Sequence, residues 1–327
     1  MGPIIKTADK NKRATIVIVI TCIICWIITF FSIKILTEYS LGLFIYLPII
    51  MGITSTILYA HKYQITKREC FNVTLIAFGV FCFGLLLFAF EGIICILMAA
   101  PIGLAGIWLG NEIGYAIIKS KRIGNPPTIM IILILSVPAL MAFESTLKDK
   151  EDIRPVITSI EINASPEIVW KNVVEFPKLD EPTEIVFKTG IAYPISAEIN
   201  GKGVGAIRNC NFSTGSFVEP ITVWDEPNLL KFDVKDQPEP MKELSFYDIH
   251  PNHLHGYFVS KQGQFKLTAL PNGHTLLEGT TWYVNKIKPN LYWNIWSDYL
   301  IHKIHTRVLE HIKRNAEKNS SPSITNH

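Results

Sequence analysis

The chain has 327 residues, 49% hydrophobic and 18% charged, and its mean hydropathy of +0.27 is too high for an ordinary water-soluble chain and too low for one held wholly in a membrane. A net charge of +3, with no basic stripe interleaved with aromatic residues, argues against a nucleic-acid partner. Of six cysteines, Cys22, Cys25, Cys82 and Cys95 fall within apolar runs, Cys70 at the edge of one, and Cys210 stands alone further on, so no disulfide framework follows.

The solvent preference changes near Phe143. Residues 1–147 read as a membrane domain of about five spans, at 14–36, 41–60, 71–90, 92–118 and 128–147, each long enough for the ~20 residues that a hydrocarbon core requires. The first span has a basic lead of Lys6, Lys10, Lys12 and Arg13, but it is longer than a signal-peptide core and no small-residue cleavage site follows, so it reads as retained. The last contains Pro138 and ends on Ser145 and Thr146, which suits a tilted span or a re-entrant segment. When the five alternate, Lys62, Lys67, Arg68, Lys119, Lys121 and Arg122 share the side of the N-terminal tail, while Glu38 and Glu91 lie on the other. Lys34 dissents, and lysine at a span end can snorkel to the interface. The expected topology puts the N-terminus in the cytoplasm and everything after the fifth span on the far side of a plasma or bacterial inner membrane. A Pro138 segment that does not cross would return it to the cytoplasm.

Gly103, Gly106, Gly110 and Gly114, at three- and four-residue spacing, open a groove for close helix packing, and Gly106, Gly110 and Gly114 also offer a face to a homo-oligomer. Glu112, beside Asn111, is an intramembrane carboxylate near the basic end of its helix and reads as structural. No set of convergent polar groups marks a transport pathway. Cys22 and Cys25 have redox-motif spacing but lie inside an apolar span.

A charged linker at 148–155 precedes a strand at 156–163. A helix follows at once, with Ser165 as its cap, Pro166 at its first position and Glu167 at its positive end. After a loop-rich stretch, strands are expected at 206–212, 216–224, 229–235, 257–270 and 275–287, separated by turn residues. Gly201, Gly203 and Gly205 precede a strand rather than opening a helix, so they form a turn and not a dinucleotide loop. The domain closes with a helix at about 290–316, on which Trp293, Trp296, Leu300, Ile304, Val308 and Ile312 recur at helical spacing; residues 317–327 read as a disordered tail. The expected fold class is a multi-span α-helical membrane region followed by an α+β domain, a curved antiparallel sheet around a long C-terminal helix.

The strings ASPEIVW at 164–170, GVGAIRNCNFSTGSF at 203–217, VWDEP at 223–227 and LEGTTWY at 277–283, before an aromatic-rich helix, resemble the START-like helix-grip superfamily. That group, also called SRPBCC, includes polyketide cyclases, lipid-transfer START domains and the birch-pollen allergen type. The resemblance covers residues 156–316 and leaves the membrane half unmatched. It implies a deep apolar cavity between sheet and terminal helix, in a fold that hosts binders and enzymes alike.

In such a cavity Trp282, Trp293, Trp296, Tyr299 and His255 are candidate ligand-binding residues. His253, His255, Glu278 and Asp298 are the candidates for acid–base catalysis, with Tyr283 as a further hydroxyl donor and His253 and His255 expected on one strand face. His302 and His305 lie one helical turn apart, but no metal motif, nucleophile elbow or phosphate loop is present, and no cofactor is implied. The favoured expectation is a membrane-anchored binding protein for a lipid or other hydrophobic small molecule, in contact with the bilayer. A cyclase- or dehydratase-like enzyme and a membrane sensor or assembly protein are the alternatives. A uniformly apolar cavity favours the binder, convergent polar groups the enzyme, and a filled cavity with an exposed apolar patch the interaction protein.

Overall fold

A computed structural model describes residues 7–36, 39–120, 125–147 and 151–320. Lys6, Glu38, Lys121, Arg122, the linker residues 148–150 and the tail residues 321–327 lie outside the described residues. Two compact units result: Met1–Asp149 with Glu243–Asn252 and Ile287–Pro289, and Lys150–Lys242 with His253–Lys286 and Asn290–His327.

The first unit is built on five helices: α1 (Thr7–Phe30, continued by wider π-type turns over Phe31–Leu36), α2 (Leu47–Ala60, entered through Gly42–Tyr46), α3 (Lys67–Leu87), α4 (Ile93–Lys119) and α5 (Pro126–Thr146). Each lies in a segment long and apolar enough to cross a membrane, and α5 runs unbroken through Pro138. Large apolar side chains such as Ile27, Leu97, Ile132 and Leu135 remain more than 60% exposed in the described structure, as a hydrocarbon-facing surface requires.

The glycines of α4 are used within the chain. A Cβ on Gly110 would run into the Ile49 carbonyl, one on Gly106 would sit 2.7 Å from Pro48, and one on Gly114 3.0 Å from Thr56. On the facing helix, a Cβ on Gly52 would sit 2.5 Å from the Ile107 carbonyl. The close helix packing expected of this glycine groove is made with α2. The Thr56 hydroxyl donates to the Asn111 amide oxygen at 2.9 Å, and Glu112 pairs with Lys67 at 2.7 Å, giving both Asn111 and Glu112 a structural partner. Arg13 donates to the carbonyls of Leu58, Tyr59 and His61, closing the open end of α2, while Thr66 and Glu69 form a capping box at the start of α3.

The excursion Glu243–Asn252 belongs to this unit because it completes α4. The Glu243 carboxylate accepts from the backbone amides of Ile94 and Cys95 and from the Cys95 thiol at 2.5 Å, and Ile93 N–H donates to the Leu244 carbonyl at 2.8 Å. A carboxylate on the first amides of a helix meets the positive end of its dipole. Glu91, which takes the Tyr39 hydroxyl at 3.0 Å, has its carboxyl pushed up to about 8 by burial.

The second unit is a curled seven-stranded antiparallel sheet with a long C-terminal helix, which fits a helix-grip domain. Its strands are β1 (Arg154–Ile162), β2 (Pro194–Asn200), β3 (Ile207–Phe212), β4 (Gly215–Asp225), β5 (Leu229–Asp233), β6 (Phe258–Ala269) and β7 (Thr275–Asn285), in spatial order β1-β7-β6-β5-β4-β3-β2. Helices α6 (Pro166–Val174) and α7 (Ile185–Lys188) fill the connection from β1 to β2, and α8 (Asn290–Ser320) continues through the first residues of the expected tail. Six strands match the expected ones; β2, at the sheet edge, falls in the stretch expected to be loop. Gly201, Gly203 and Gly205 turn from β2 into β3 at φ of +93°, +86° and +90°, a region only glycine enters freely. The core joins Val169, Trp170 and Val173 of α6 to Leu230, Leu267 and Leu277 of the sheet and to Val308, Leu309 and Ile312 of α8.

Gly110→Ala should lower the thermal midpoint of the detergent-solubilised protein, since overpacking typically costs about 1–3 kcal/mol. Gly79→Ala, with nothing within 4 Å of its Cβ position, should not. Equal midpoints for the two variants would remove the packing role assigned to Gly110.

Candidate functional site

Strand alternation sets the concave face. On β3 it carries Arg208, Cys210 and Phe212, and on β4 Phe217, Glu219 and Ile221, with Asn209 and Asn211 turned the other way. Against this face and α8 lies a cavity of about 120 Å³, lined among others by Phe176, Phe212, Phe217, Phe232, Phe258 and Phe265 and by Ile301, Ile304, His305, Val308 and Leu309 of the helix. An apolar cavity of about 150 Å³ accepts benzene, so this one has the scale of a single ring.

The polar centre of the wall is a buried ion pair. Arg208 and Glu219 are direct cross-strand partners, 1% and 6% exposed, and the guanidinium donates to the carboxylate. Arg208 Nε donates to the Val174 carbonyl at 3.1 Å, and its guanidinium carbon lies 5.6, 5.5 and 5.6 Å from the ring centres of Phe176, Phe232 and Phe265. Burial pushes the Glu219 carboxyl up and Arg208 pulls it back, while Arg208, against its own burial, is held above its ordinary value by Glu219. The charge is therefore matched inside the wall. Burial also pushes the Cys210 thiol up to about 12, which leaves it a thiol and a poor nucleophile.

His305 is the titratable group of the opposite wall. Its Nδ1 lies 3.1 Å from the Thr158 hydroxyl and its Nε2 2.8 Å from that of Thr281, while His302 Nδ1 shares Thr158 at 2.7 Å. Burial, helped by the His302 neighbour, lowers His305 to about 4, so the ring is neutral near pH 7 with both nitrogens engaged.

The expected site residues lie elsewhere. None of Trp282, Trp293, Trp296, Tyr299 and His255 lines the cavity. Thr281 and Tyr283 reach residues of α8, so Trp282 between them points to the outer face, under the Lys231 ammonium at 5.0 Å. Trp293 is buried, and Trp296 and Tyr299 follow it at the start of α8; from Trp293 to Ile301, the first residue of the helix in the cavity wall, is eight residues, about 12 Å along the axis. His253 and His255 do not alternate on a strand, because Pro251 and Gly256 hold the chain in turns until β6 begins at Phe258. His253 is buried and lowered to about 4 by that burial, and His255 is exposed, 3.2 Å from Glu239. Glu278 lies on the outer face 3.8 Å from Lys266. Asp298 pairs with Arg154 at 3.0 Å and accepts from the Tyr283 hydroxyl at 2.6 Å, and burial pushes that hydroxyl's pKa up. These four carboxylates and imidazoles share no common point. The residues sequence reading passed over are Arg208, Glu219 and the strand phenylalanines, although the asparagines alternating with Arg208 mark its face as the inner one.

No family model matches the chain, and no curated protein matches it. Among solved structures, norcoclaurine synthase from Thalictrum flavum is similar over 53% of this chain and 100% of its own, at 14% identity and a TM-score of 0.35. The Zhui aromatase/cyclase from a Streptomyces species covers 53% of this chain and 98% of its own, at 11% and 0.35. The Aha1 dimer from Colwellia psychrerythraea covers 51% and 99%, at 14% and 0.31. Likeness this distant leaves the chemistry to be read from the cavity itself.

Removing one member of a buried pair strands the other, at a typical cost of about 3–5 kcal/mol, whereas replacing both by apolar residues is often neutral. Arg208→Met should therefore shift the chemical denaturation curve far more than Arg208→Met with Glu219→Leu. A double variant as unstable as the single one would remove the pair from the fold's foundation. Because the native fold holds His305 below its ordinary value of 6.5, its contribution to stability is full above pH 6.5 and is lost as pH falls toward about 4. His305→Gln should flatten that decline without abolishing it, since His253 titrates in the same window.

Proposed function

We propose that this chain is a membrane-anchored binding protein for small, uncharged, ring-sized apolar molecules, held between the sheet and α8 of the second unit. The observation that carries the reading is the cavity itself, small and walled by phenylalanines, with its one charged pair closed on itself. A ligand entering it finds apolar surface and no unmatched charge, the condition under which a pocket selects by shape and burial. The five long apolar helices support the anchor, and the lysine and arginine distribution supports an N-terminus in the cytoplasm with the second unit across the membrane.

A cyclase- or dehydratase-like activity is the second reading, favoured by one feature, the neutral His305 in the cavity wall. Its two nitrogens are both taken by threonine hydroxyls, and Cys210 is held as a thiol, so neither an open base nor an activated nucleophile faces the space.

The test is a size series on the full chain in detergent, with empty micelles as the blank, followed by ¹⁹F NMR. 4-Fluorotoluene should show saturable binding displaced by benzene, and 1-fluoronaphthalene should bind at least tenfold more weakly. Tighter binding of the two-ring probe, or of a fluorinated fatty acid, would overturn the ring-sized reading. For topology, Asn319→Cys, on an exposed turn of α8, should react with a membrane-impermeant thiol reagent in intact cells beyond the wild-type background. Labelling only after lysis would reverse the orientation.

A further inference from the structure

We infer that Gly279 sets the size limit of the cavity, its missing side chain being space kept for the ligand; the inference rests on the binding reading above. Two cross-strand pairs on the concave face join a phenylalanine to a glycine: Phe232 with Gly263 and Phe265 with Gly279. They look alike in sequence and differ in space. At Gly263 the Phe232 ring closes onto the backbone so tightly that a Cβ would collide with it, and packing alone accounts for the glycine. At Gly279 the nearest atoms to a Cβ would be Leu309 Cδ2 and Phe265 Cε1 at 3.7 Å and His305 Cγ at 3.9 Å, ordinary van der Waals distances. The backbone makes no demand either, since Gly279 is not among the residues of positive φ.

A glycine inside a strand gives up side-chain packing and carries extra entropy in the unfolded chain, so one that neither crowding nor backbone geometry requires needs another reason. Gly279 faces the cavity, and the position of its absent methyl is bounded by Phe265, Leu309 and His305. A flat ring lying there would rest on the strand backbone, with Leu309 and Phe265 against it and the His305 imidazole beside it. In a space of about 120 Å³ a single methyl is a sizeable fraction of what a ring needs. Gly279 is accordingly a specificity-determining residue whose effect is opposite in sign on binding and on stability.

The experiment compares full-length wild type, Gly279→Ala and Gly279→Val by thermal unfolding and by ¹⁹F NMR titration with 4-fluorotoluene. The alanine variant should melt at or above the wild-type temperature, because the methyl meets its neighbours without overlap and restricts the unfolded chain. Its affinity for the probe should fall about tenfold, and the valine variant should show no saturable binding. A lower melting temperature for Gly279→Ala would mean that the glycine serves to seat the Phe265 ring, and would overturn the inference. So would unchanged affinity in an alanine variant of undiminished stability. Should wild type itself fail to bind the probe, the binding reading falls and this inference with it, whereas binding in wild type and in Gly279→Ala alike removes the inference and leaves the reading standing. A valine variant that does not fold leaves the alanine result to decide.

Discussion

The second unit depends on placing a full ion pair inside an apolar face and satisfying it there. Arg208 and Glu219 lie side by side because β3 and β4 are neighbours in register, and the same register turns Cys210 and Phe217 toward each other one step along. A lone charge at this depth would cost several kcal/mol, and the pair repays that only with good geometry and further partners. The Val174 carbonyl and three phenylalanine rings supply them. Val174 is the last residue of α6 and Phe176 follows it, so the guanidinium ties that helix end, the two strands and the ring cluster to one point. Phe232, one of those rings, is in turn the reason Gly263 has no side chain.

The five helices of the first unit are long and apolar enough to cross a membrane, and for helices in hydrocarbon burial of apolar surface would supply little driving force. Close approach has to come from small residues, and α2 and α4 meet through Gly52 on one side and Gly106, Gly110 and Gly114 on the other. Polar groups then form specific ties, Thr56 to Asn111 inside the helix pair and Lys67 to Glu112 at its exposed edge. The Glu243 carboxylate on the first amides of α4 follows the same rule, since a helix end without water needs a partner from the chain.

Apolar length and strand alternation are local signals, and they made most of both units legible. The five long apolar helices and six of seven strands lie where composition and turn residues put them. The exception, β2, opens on Pro194 and mixes Ser196, Glu198 and Asn200 into its run, a pattern that suits an edge strand as well as a loop. The site was legible only as a fold-level expectation of a pocket. Tryptophans at helical spacing looked like its wall, yet Trp293 and Trp296 precede Ile301, the first α8 residue of the wall, by about 12 and 7.5 Å along the axis, and Trp282 faces outward. Which end of a long helix meets a curved sheet is a tertiary property, fixed by where the sheet curls and not by the helix's own period. Arg208 and Glu219 went unread for a similar reason: their partnership spans two strands and appears only once the register is known.

Matching the ionisable groups Arg208, Glu219 and His305 within the wall has an energetic consequence for the proposed ligand. With the ion pair closed and His305 held by two threonines, affinity must come from burying the ligand's own apolar surface. At about 0.8 kcal/mol per methylene-sized group, a six-carbon ring gains roughly 5 kcal/mol, which corresponds to a dissociation constant of about 0.2 mM before any cost of ordering. Such a site fills only where its ligand is concentrated. Apolar molecules partition from water into hydrocarbon, and five membrane-length helices on the same chain would keep the site beside that reservoir. On the proposed reading a weak, shape-limited cavity and a membrane anchor are parts of one arrangement, in which the bilayer supplies the concentration that the cavity's few contacts require.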